Sequence, residues 1–234
     1  MIEVQGLTKK YGSTYAVEDL SFTVPAGAIT VLAGPNGAGK STTIKSMAGL
    51  LRFKGDILID QYNNKSIDAK RMLGYIAEAP AMYGMLTVAE HLEFIARAYS
   101  LDETWQARAQ ALLEQFELTD KMDKLGKELS KGMQQKVSIC CALLPEPKYL
   151  LVDEPMVGLD PHAIKTLKEV FKAQRDRGVA ILISTHLLDS VEDLWDRLLI
   201  LVQGKISITR SHADMEQGGE SLSELFFRVT EGEK

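Results

Sequence analysis

The sequence predicts an α/β fold with a mainly parallel sheet, and two patterns carry this prediction. In the second half of the chain, an apolar run at residues 149–152 is followed by a helical pattern at 161–177 and a second apolar run at 179–184. Near the N-terminus, an apolar run at 29–33 leads directly into a glycine-rich loop and another helical pattern. Strands that alternate with helices need crossover connections, which favour neighbouring parallel strands in one sheet.

The strands around the glycine-rich loop are short and separated by turns. Residues 2–7 alternate between apolar and polar side chains, which is typical of a half-buried strand, and strand character resumes at 20–24 after a loop at 11–13. Further short strands are predicted at 56–59 and 74–77, where β-formers are bounded by polar turn residues.

The middle of the chain, from about residue 83 to residue 144, changes to helical character. Apolar side chains recur there at helical spacing, as in Val88, Leu92, Ile95 and Tyr99. Beyond the second apolar run, the pattern predicts a helix at 187–194, a strand at 198–202 and a short last strand after the turn at Gly204.

Composition excludes several classes of protein. The 234 residues suffice for one domain, or for two subdomains that share a core. With 27 basic and 32 acidic side chains the net charge is −5, so we expect no non-specific grip on nucleic acid. No apolar run approaches the roughly 20 residues that span a bilayer, and no leader pattern marks secretion. We therefore expect a soluble chain of a reducing compartment, whose adjacent Cys140 and Cys141 pack in the core instead of bridging.

The glycine-rich loop carries the first chemical signal. Its eight residues fit the phosphate-binding pattern G-x-x-x-x-G-K-[ST], with a strand before and a helix after. Glycines let backbone N–H groups approach phosphate oxygens, and the helix that begins near Gly39 directs its positive end at them. Lys40 supplies a charge for the β- and γ-phosphates, and Ser41 offers a hydroxyl to Mg²⁺. The predicted nucleotide contacts are Gly34, Pro35, Asn36, Gly37, Ala38, Gly39, Lys40, Ser41 and Thr42.

A second signal follows the apolar run at 149–152, which ends in Asp153 and Glu154. A buried strand carries these acids to the carboxyl edge of the sheet, where ligands bind in such folds. Asp153 can hold Mg²⁺ through water there, and Glu154 can polarise the water that attacks the γ-phosphate. A GTPase is excluded because the nearest match to a guanine-reading motif, at 64–67, lacks the required acid and lies too early.

Further motifs resemble those of ATP-binding cassette (ABC) ATPases. Leu-Ser-Lys-Gly-Met-Gln-Gln-Lys at 129–136 resembles their signature loop, Gly-Leu-Asp at 158–160 their D-loop, and Ser-Thr-His at 184–186 their switch-histidine segment. Tyr11 is similar to the aromatic residue that stacks on adenine in this family. The resemblance covers residues 2–205, in the order and spacing of the family.

The resemblance implies a fold and an assembly. The fold is a P-loop NTPase of the ABC type, with an antiparallel β subdomain, a mainly parallel core sheet and an inserted helical subdomain. We expect one ATPase domain, with its catalytic core at 1–78 and 148–210, its helical subdomain at 79–147 and a short tail at 211–234. Two subunits would sandwich two ATP molecules head to tail. Ser130 and Gly132 would then grip the γ-phosphate of the other subunit's ATP, Asp160 would cross the interface, and His186 would contact the γ-phosphate and the attacking water.

Two departures from the family pattern concern the same chemistry. Glu78 aligns with the usual glutamine that contacts Mg²⁺ and the attacking water; it can still join the metal shell, but it adds a negative charge beside the phosphates. Lys131 and Met133 replace the usual glycine and glutamine of the signature loop, and Lys131 either offsets phosphate charge or lies in solvent. Because Asp153, Glu154 and His186 are all present, we expect an active ATPase.

The implied function is that of an ATPase subunit, peripheral on the cytoplasmic face of the membrane, that powers a separate permease. The short single cassette looks most like those of Ecs-type and related multidrug or peptide exporters. An importer subunit, a regulatory cassette and an ABC ATPase acting on DNA or ribosomes remain alternatives. Residues 80–86 either receive a coupling helix of the permease or form a buried structural loop. The apolar residues of the tail, Leu222, Leu225, Phe226 and Phe227, either cap the core or meet a partner.

Overall fold

The computed structural model describes residues 1–218 and 221–231, which form two β-sheets with helices packed around them. The predicted tail therefore lies partly outside the described residues, at 219–220 and 232–234. The strands are β1 (Ile2–Tyr11), β2 (Thr14–Val24), β3 (Ile29–Ala33), β4 (Lys54–Ile59), β5 (Tyr62–Asn63), β6 (Leu73–Ile76), β7 (Tyr149–Asp153), β8 (Ala180–Thr185), β9 (Arg197–Val202) and β10 (Lys205–Ser211). The α-helices are α1 (Lys40–Met47), α2 (Ile67–Arg71), α3 (Val88–Ala98), α4 (Trp105–Gln115), α5 (Lys131–Leu143), α6 (Pro161–Asp176), α7 (His212–Gly218) and α8 (Leu222–Glu231).

The larger sheet has the order β10-β9-β3-β8-β7-β6. Strands β9, β3, β8, β7 and β6 pair in parallel, and β10 is added antiparallel at one edge. Strands β3, β7 and β8 are buried along their whole length, as expected for parallel strands that are covered on both faces. The predicted α/β architecture is confirmed, and the parallel pairing brings the carboxyl ends of β3, β7 and β8 to one edge.

The smaller sheet is antiparallel, with the order β2-β1-β4-β5. Its strands β1 and β2 are longer than predicted, because their pairing continues through irregular register up to the turn after Tyr11. The core sheet separates two apolar clusters, one packed against each of its faces. Leu32, Leu151 and Leu182 face the antiparallel sheet and α1, whereas Val31, Val152 and Ile183 face the helices.

Helices α3, α5 and α6 begin at residues that cap them. Thr87 and Glu90 form a reciprocal capping box at α3, Ser130 caps α5, and Asp160 caps α6 with Pro161 in its first turn. Each cap satisfies backbone N–H groups that have no partner inside the helix, which fixes where the helix begins. Ser130 and Asp160 are also predicted site residues, so each of these side chains has a structural role as a helix cap in addition to its predicted functional role.

The helix predicted at 187–194 is wrong, because only a 3-10 turn at Leu188–Ser190 forms there. The hydroxyl of Thr185 accepts from the Leu187 N–H, and the hydroxyl of Ser190 donates to the Leu187 carbonyl. These side-chain bonds compete with helical ones. Within the region of predicted helical character, helix α3 begins at Val88, the first of the residues at helical spacing.

The described part of the tail packs on the core. Leu222 and Leu225 of α8 are buried in the helix-facing cluster, and Phe226 packs against it, whereas Phe227 is 56% exposed. Of the two alternatives for this patch, capping the core therefore holds for Leu222, Leu225 and Phe226. None of the described helices is long and apolar enough to span a bilayer.

The cysteine prediction is confirmed, since Cys140 and Cys141 are both free thiols. Cys140 is fully buried and Cys141 packs against the same cluster. Burial raises the pKa of the Cys141 thiol to about 12, so neither residue is a reactive thiolate at neutral pH.

Candidate functional site

The glycine-rich loop joins β3 to α1 at the carboxyl edge of the core sheet. A side chain at Gly39 would place its Cβ 2.4 Å from the Ala16 carbonyl oxygen, and Gly39 adopts a φ of 109°. A Cβ at Gly34 would lie 2.4 Å from the Leu201 carbonyl oxygen. Both positions therefore require glycine. The loop lines a cavity of about 680 Å³ together with Glu78, Glu154 and His186.

Lys40 is held inside this loop, with only 6% of the residue exposed. Its ammonium donates to the carbonyl oxygens of Gly34, at 2.8 Å, and Pro35, at 3.3 Å, and lies 3.5 Å from Oε1 of Glu154. These contacts fix a positive charge at the floor of the cavity, where the phosphates of a nucleotide would add strong acceptors.

Asp153 ends β7 and is fully buried beside the first turn of α1. Its Oδ1 accepts from the hydroxyl of Ser41 at 3.0 Å and from that of Ser184 at 2.6 Å. Its Oδ2 is also buried but has no hydrogen-bond partner in the structure. An unsatisfied buried carboxylate oxygen is costly, so this atom points to a missing ligand.

These oxygens fit Mg²⁺, which prefers carboxylate, hydroxyl and water ligands. Among the described residues, no group of three or more His, Cys, Asp or Glu side chains could enclose a metal ion. In nucleotide-binding proteins, Mg²⁺ is usually held by one or two protein oxygens together with phosphates and water. Ser41 and Asp153 would hold the ion or its waters, and Glu78 lines the same cavity.

Glu154 turns from the end of β7 into the cavity. It adopts a φ of 47°, in the left-handed region that side chains other than glycine rarely occupy, and its N–H donates to both the carbonyl and hydroxyl oxygens of Ser184. Its Oε1 lies 2.9 Å from Nδ1 of His186, and its Oε2 accepts from the His186 N–H at 3.4 Å. The buried carboxylate thus bridges Lys40 and His186.

The acidic character of this edge is visible at Tyr75. Burial and, after it, the negative charges of Asp153 and Glu78 raise the pKa of Tyr75 to about 12. Glu78 is itself exposed and follows β6 by two residues. The three carboxylates of this edge, those of Glu78, Asp153 and Glu154, outnumber the single ammonium of Lys40, and this negative balance favours binding of a cation.

The signature loop and the D-loop lie against each other beside this cavity. A Cβ at Gly132 would approach the Gly158 carbonyl oxygen to 2.8 Å, so the two loops touch through glycine backbones. Asp160 accepts from the Ala163 N–H at 2.8 Å and lies 3.2 Å from Nζ of Lys136; these contacts, the backbone one first, lower the pKa of Asp160. Ser130, Gly132 and Asp160 do not line the cavity of their own chain, and neither does Tyr11, which ends β1 and is 52% exposed.

Two residues of this region were not predicted as site residues. Ser184 binds Asp153 and Glu154 at once, and its place in the quoted Ser-Thr-His motif was a signal for it. Gln135, in the signature helix α5, is buried and donates from Nε2 to the Ala77 carbonyl at 3.1 Å, next to Glu78. Its partner is 58 residues away, so no local pattern indicates this contact.

Comparisons with known proteins agree with this geometry. The profile of the family described as ABC transporter matches residues 17–157. The ABC-type transporter ATP-binding protein EcsA of Bacillus subtilis (strain 168) is 36% identical over 98% of this chain and 96% of its own length. The SkfA peptide export ATP-binding protein SkfE of the same organism is 36% identical over 88% of this chain and 87% of its own. A solved ATP-binding subunit of an ABC transporter superposes with a TM-score of 0.92 at 39% identity, over 98% of this chain and 99% of that one. The chain therefore belongs to the ABC transporter family, as one of its ATP-binding subunits.

Proposed function

We propose that this chain hydrolyses ATP and thereby powers export through a separate membrane permease. The observation that carries the proposal is the Glu154 carboxylate, which is placed between Lys40 and His186 at the phosphate loop. Export is favoured by the name of SkfE, a peptide export protein that is 36% identical to this chain. An importer subunit remains the alternative, whereas a regulatory cassette without turnover is disfavoured by the intact Asp153, Glu154 and His186.

The residues of the loop have distinct roles in this proposal. Backbone N–H groups between Gly34 and Thr42, with the N-terminus of α1, surround the β- and γ-phosphates. Lys40 pairs with their oxygens in place of Glu154. Ser41 and Asp153 would hold Mg²⁺, with Glu78 in its shell, and the ion would supply positive charge that neutralises the phosphates. The aromatic ring of Tyr11 stacks on the adenine.

Hydrolysis depends on a change of partner at Glu154. When the γ-phosphate takes over Lys40, the carboxylate loses one contact and can accept a hydrogen bond from the attacking water. His186, whose Nδ1 lies 2.9 Å from Glu154, holds the carboxylate in place and directs its imidazole toward the γ-phosphate. The buried position of Glu154 strengthens both interactions, because the local dielectric is low.

A second subunit completes the site. At the N-terminus of α5, Ser130 is exposed and Gly132 is half-buried, and neither lines the cavity of its own chain. In this proposal they bind the γ-phosphate of the ATP on the opposite subunit. Asp160 approaches the same interface from the D-loop. Binding of ATP closes the two subunits and hydrolysis separates them, which gives the two states that can drive a permease. The partner is a second copy or a related ATPase subunit.

A docking surface for the permease is formed by Tyr83, Met85 and Phe94. Their exposed fractions are 56%, 71% and 48%, and the rings of Tyr83 and Phe94 meet edge to face at 5.6 Å. This exposure argues against a loop buried on the helical subdomain, the structural alternative for residues 80–86. The surface adjoins the Glu78 loop, so a cytoplasmic helix of the permease can sense the occupied site. The chain is then a peripheral protein on the cytoplasmic face of the membrane.

The decisive experiment is to tag the chain in its native cell, extract membranes in mild detergent and identify the proteins that co-purify. A stoichiometric multi-helix membrane protein, with ATP hydrolysis by the assembled complex, supports the proposal. A chain that purifies alone or with ribosomes or nucleic acid would contradict the transporter role. A complex without measurable hydrolysis would contradict the ATPase role.

A matched pair of variants tests the docking surface in the same experiment. Phe94→Glu places a charge on the surface, and Phe227→Glu places one on α8, where Phe227 is 56% exposed. We expect the first variant to lose the permease and the second to retain it. Equal retention by both would show that the permease binds elsewhere.

A further inference from the structure

A group of basic and aromatic side chains lies on the antiparallel sheet and its flanking turns, and none of its cations lines the nucleotide cavity. Its cations are Lys9, Lys10, Arg52, Lys54 and Lys65, and we call this group the basic patch. Lys9, Lys10, Arg52 and Lys54 line one groove of about 300 Å³, with Tyr15 and Phe53 in its wall. This concentration stands out in a chain whose net charge is −5.

Carboxylates do not neutralise the patch. Within residues 1–218 and 221–231, none of its five cations forms an ion pair, whereas cations elsewhere, such as Lys168, Lys172 and Lys205, do. Among the described residues, Asp19 of β2 and Asp56 of β4, which belong to the same sheet, form no ion pair with these cations either. The groove is therefore a region of positive potential that is open to an anionic partner.

Three of the cations are held over aromatic rings. Nζ of Lys10 lies 3.8 Å from the ring centre of Tyr15, that of Lys9 lies 5.0 Å from Tyr11, and that of Lys65 lies 4.9 Å from Phe53. Lys9 also donates to the Arg52 carbonyl oxygen at 2.8 Å. Such contacts order the long side chains before a ligand binds. At Tyr15 and Phe53 they also cover ring faces on which the bases of a nucleic acid would stack, which disfavours a single-stranded nucleic acid as partner.

The position of the patch indicates which anion it meets. Arg52 and Lys54 follow Leu50, an exposed residue that lines a separate groove with Ile95 of α3 and with Tyr99, the residue that follows this helix. Helix α3 also carries Phe94 of the docking surface, so the groove beside Leu50 links the segment that carries Arg52 and Lys54 to the helix of the proposed permease site. Mixed lysine, arginine and tyrosine side chains are typical of surfaces that rest on the headgroup layer of a bilayer.

We propose that the basic patch binds the phosphate headgroups of anionic lipids directly, and so holds this subunit against the membrane beside its permease. The inference rests on the proposed function for its orientation, but its chemistry does not involve ATP. The patch contributes about 5-fold in membrane partitioning for each cation near an anionic surface, so three cations contribute on the order of 100-fold.

The test is sedimentation of the purified chain with vesicles at low salt. One set contains equimolar phosphatidylglycerol and phosphatidylcholine, and the other contains phosphatidylcholine alone. We expect binding to the anionic vesicles only, and its loss at high salt because counterions screen exposed charges. Equal binding to both vesicle types, or binding to neither, would overturn the proposal.

Two triple variants give the test its specificity. The first variant removes three cations of the patch, by Lys10→Gln, Arg52→Gln and Lys54→Gln. It should weaken binding to anionic vesicles on the order of 100-fold. The second variant removes the same charge from exposed positions elsewhere, by Lys148→Gln, Lys165→Gln and Arg210→Gln. It should bind anionic vesicles nearly as well as the wild type. Equal weakening by both sets would reduce the effect to net charge and contradict a dedicated patch.

Competitors separate the possible anions. Soluble inorganic phosphate should compete poorly, since it lacks the array of charges on a bilayer; strong competition would point to a free phosphate ligand instead. A single-stranded oligonucleotide that displaces the chain at an equal phosphate concentration would reassign the patch to nucleic acid.

Co-purification distinguishes this proposal from the proposed function. One outcome is that the patch variant fails to co-purify with the permease while the wild type does not bind anionic vesicles. In that case an acidic segment of the permease is the partner of the patch, and the lipid proposal is wrong. If vesicle binding fails while the permease and ATP hydrolysis are retained, the proposed function stands without the lipid contact.

Discussion

At the scale of single residues, the main feature of the site is the way Glu154 is constrained. Its left-handed backbone and two bonds from its N–H to Ser184 turn the carboxylate off the line of β7, toward Lys40 and His186. If Glu154 kept the extended conformation of the strand, its carboxylate would not point toward Lys40 and His186. The strained backbone is thus tied directly to the placement of the proposed base.

We expect Glu154→Gln to bind nucleotide as the wild type does but to hydrolyse it roughly 10²- to 10⁴-fold more slowly, because an amide cannot accept the proton of the attacking water. Nucleotide binding is measured by fluorescence titration and hydrolysis by phosphate release. Glu169→Gln, an exposed glutamate of α6, serves as the control and should be unchanged. Wild-type turnover in Glu154→Gln would remove Glu154 from the mechanism.

At the scale of elements, the segment after His186 is held by packing and not by regular structure. Leu188 and Leu194 are buried against the same cluster as Leu225 of α8. Lys168 and Lys172 of α6 donate to the two carboxylate oxygens of Asp193 at 2.6 and 2.8 Å. The tail and α6 therefore both support the segment that carries the proposed switch histidine.

The tail gives a prediction for stability. We expect Leu225→Ala to lower the free energy of unfolding by about 2–5 kcal/mol, because it leaves a cavity in a fully buried position. Phe227→Ala, in the same helix but exposed, should change it by less than about 0.5 kcal/mol. Urea denaturation measures both variants, and equal effects would contradict the packing of α8.

Asp193 gives a prediction for pH. Burial alone would raise the pKa of Asp193, but the hydrogen bonds and charges of Lys168 and Lys172 outweigh it and lower the pKa to about 2. A carboxylate with a lowered folded-state pKa stabilises the fold above its unfolded-state pKa of about 3.9, and this contribution is lost as the pH falls toward 2. Since the side chain is 52% exposed, solvent screening limits the contribution to about 1 kcal/mol.

We therefore expect Asp193→Asn to lower the free energy of unfolding by about 1 kcal/mol at pH 7, and the gap from the wild type to narrow below about pH 4. Urea titrations at several pH values measure it. Asp123→Asn, at an exposed carboxylate that forms no ion pair within the described residues, is the control. If the difference in free energy of unfolding between Asp193→Asn and the wild type stayed constant down to pH 3, the stabilisation would not depend on the ionisation of Asp193.

At the scale of the whole molecule, one chain presents two separate halves of the proposed site. Glu154 and His186 line the cavity, whereas Ser130 and Gly132 lie at the N-terminus of a helix that does not reach it. Both halves are fixed by the same fold, since Gln135 of α5 binds the Ala77 carbonyl beside Glu78. A head-to-tail pair is the arrangement that unites them.

We expect Glu154→Gln to form a dimer in ATP and Mg²⁺, with twice the monomer mass of 25.9 kDa, because slow hydrolysis preserves the closed state. Adding Ser130→Asp should abolish the dimer, since it places a negative charge against the γ-phosphate, whereas Ser130→Asn should retain it. Both replacements are good helix caps, so only the charge differs. Light scattering after size-exclusion chromatography measures the mass. A monomer at every ATP concentration would contradict a homodimer and favour pairing with a related subunit.

Local patterns were sufficient for much of this chain. The strands at 29–33, 149–152 and 179–184 were predictable because fully buried strands need continuous apolar runs, and α6 because proline and a capping aspartate mark its start. The phosphate-loop motif was recognisable because glycine, lysine and paired acids at fixed spacing follow from phosphate chemistry; the nucleotide contacts of its individual residues stay a prediction. The segment at 187–194 was not, because its short apolar pattern suits a helix and a packed loop equally well.

The sequence by itself determined the fold class, the phosphate loop and the family of this chain. Only the tertiary structure decided the contacts between distant residues: Ser41 meets Asp153 across 112 positions of sequence, and Gln135 meets Ala77 across 58. It also decided that the tail covers the core and that basic side chains from two strands form one groove. The physical reason is that periodicity and turn chemistry act over a few residues, whereas burial and charge placement depend on which surfaces the completed fold brings together.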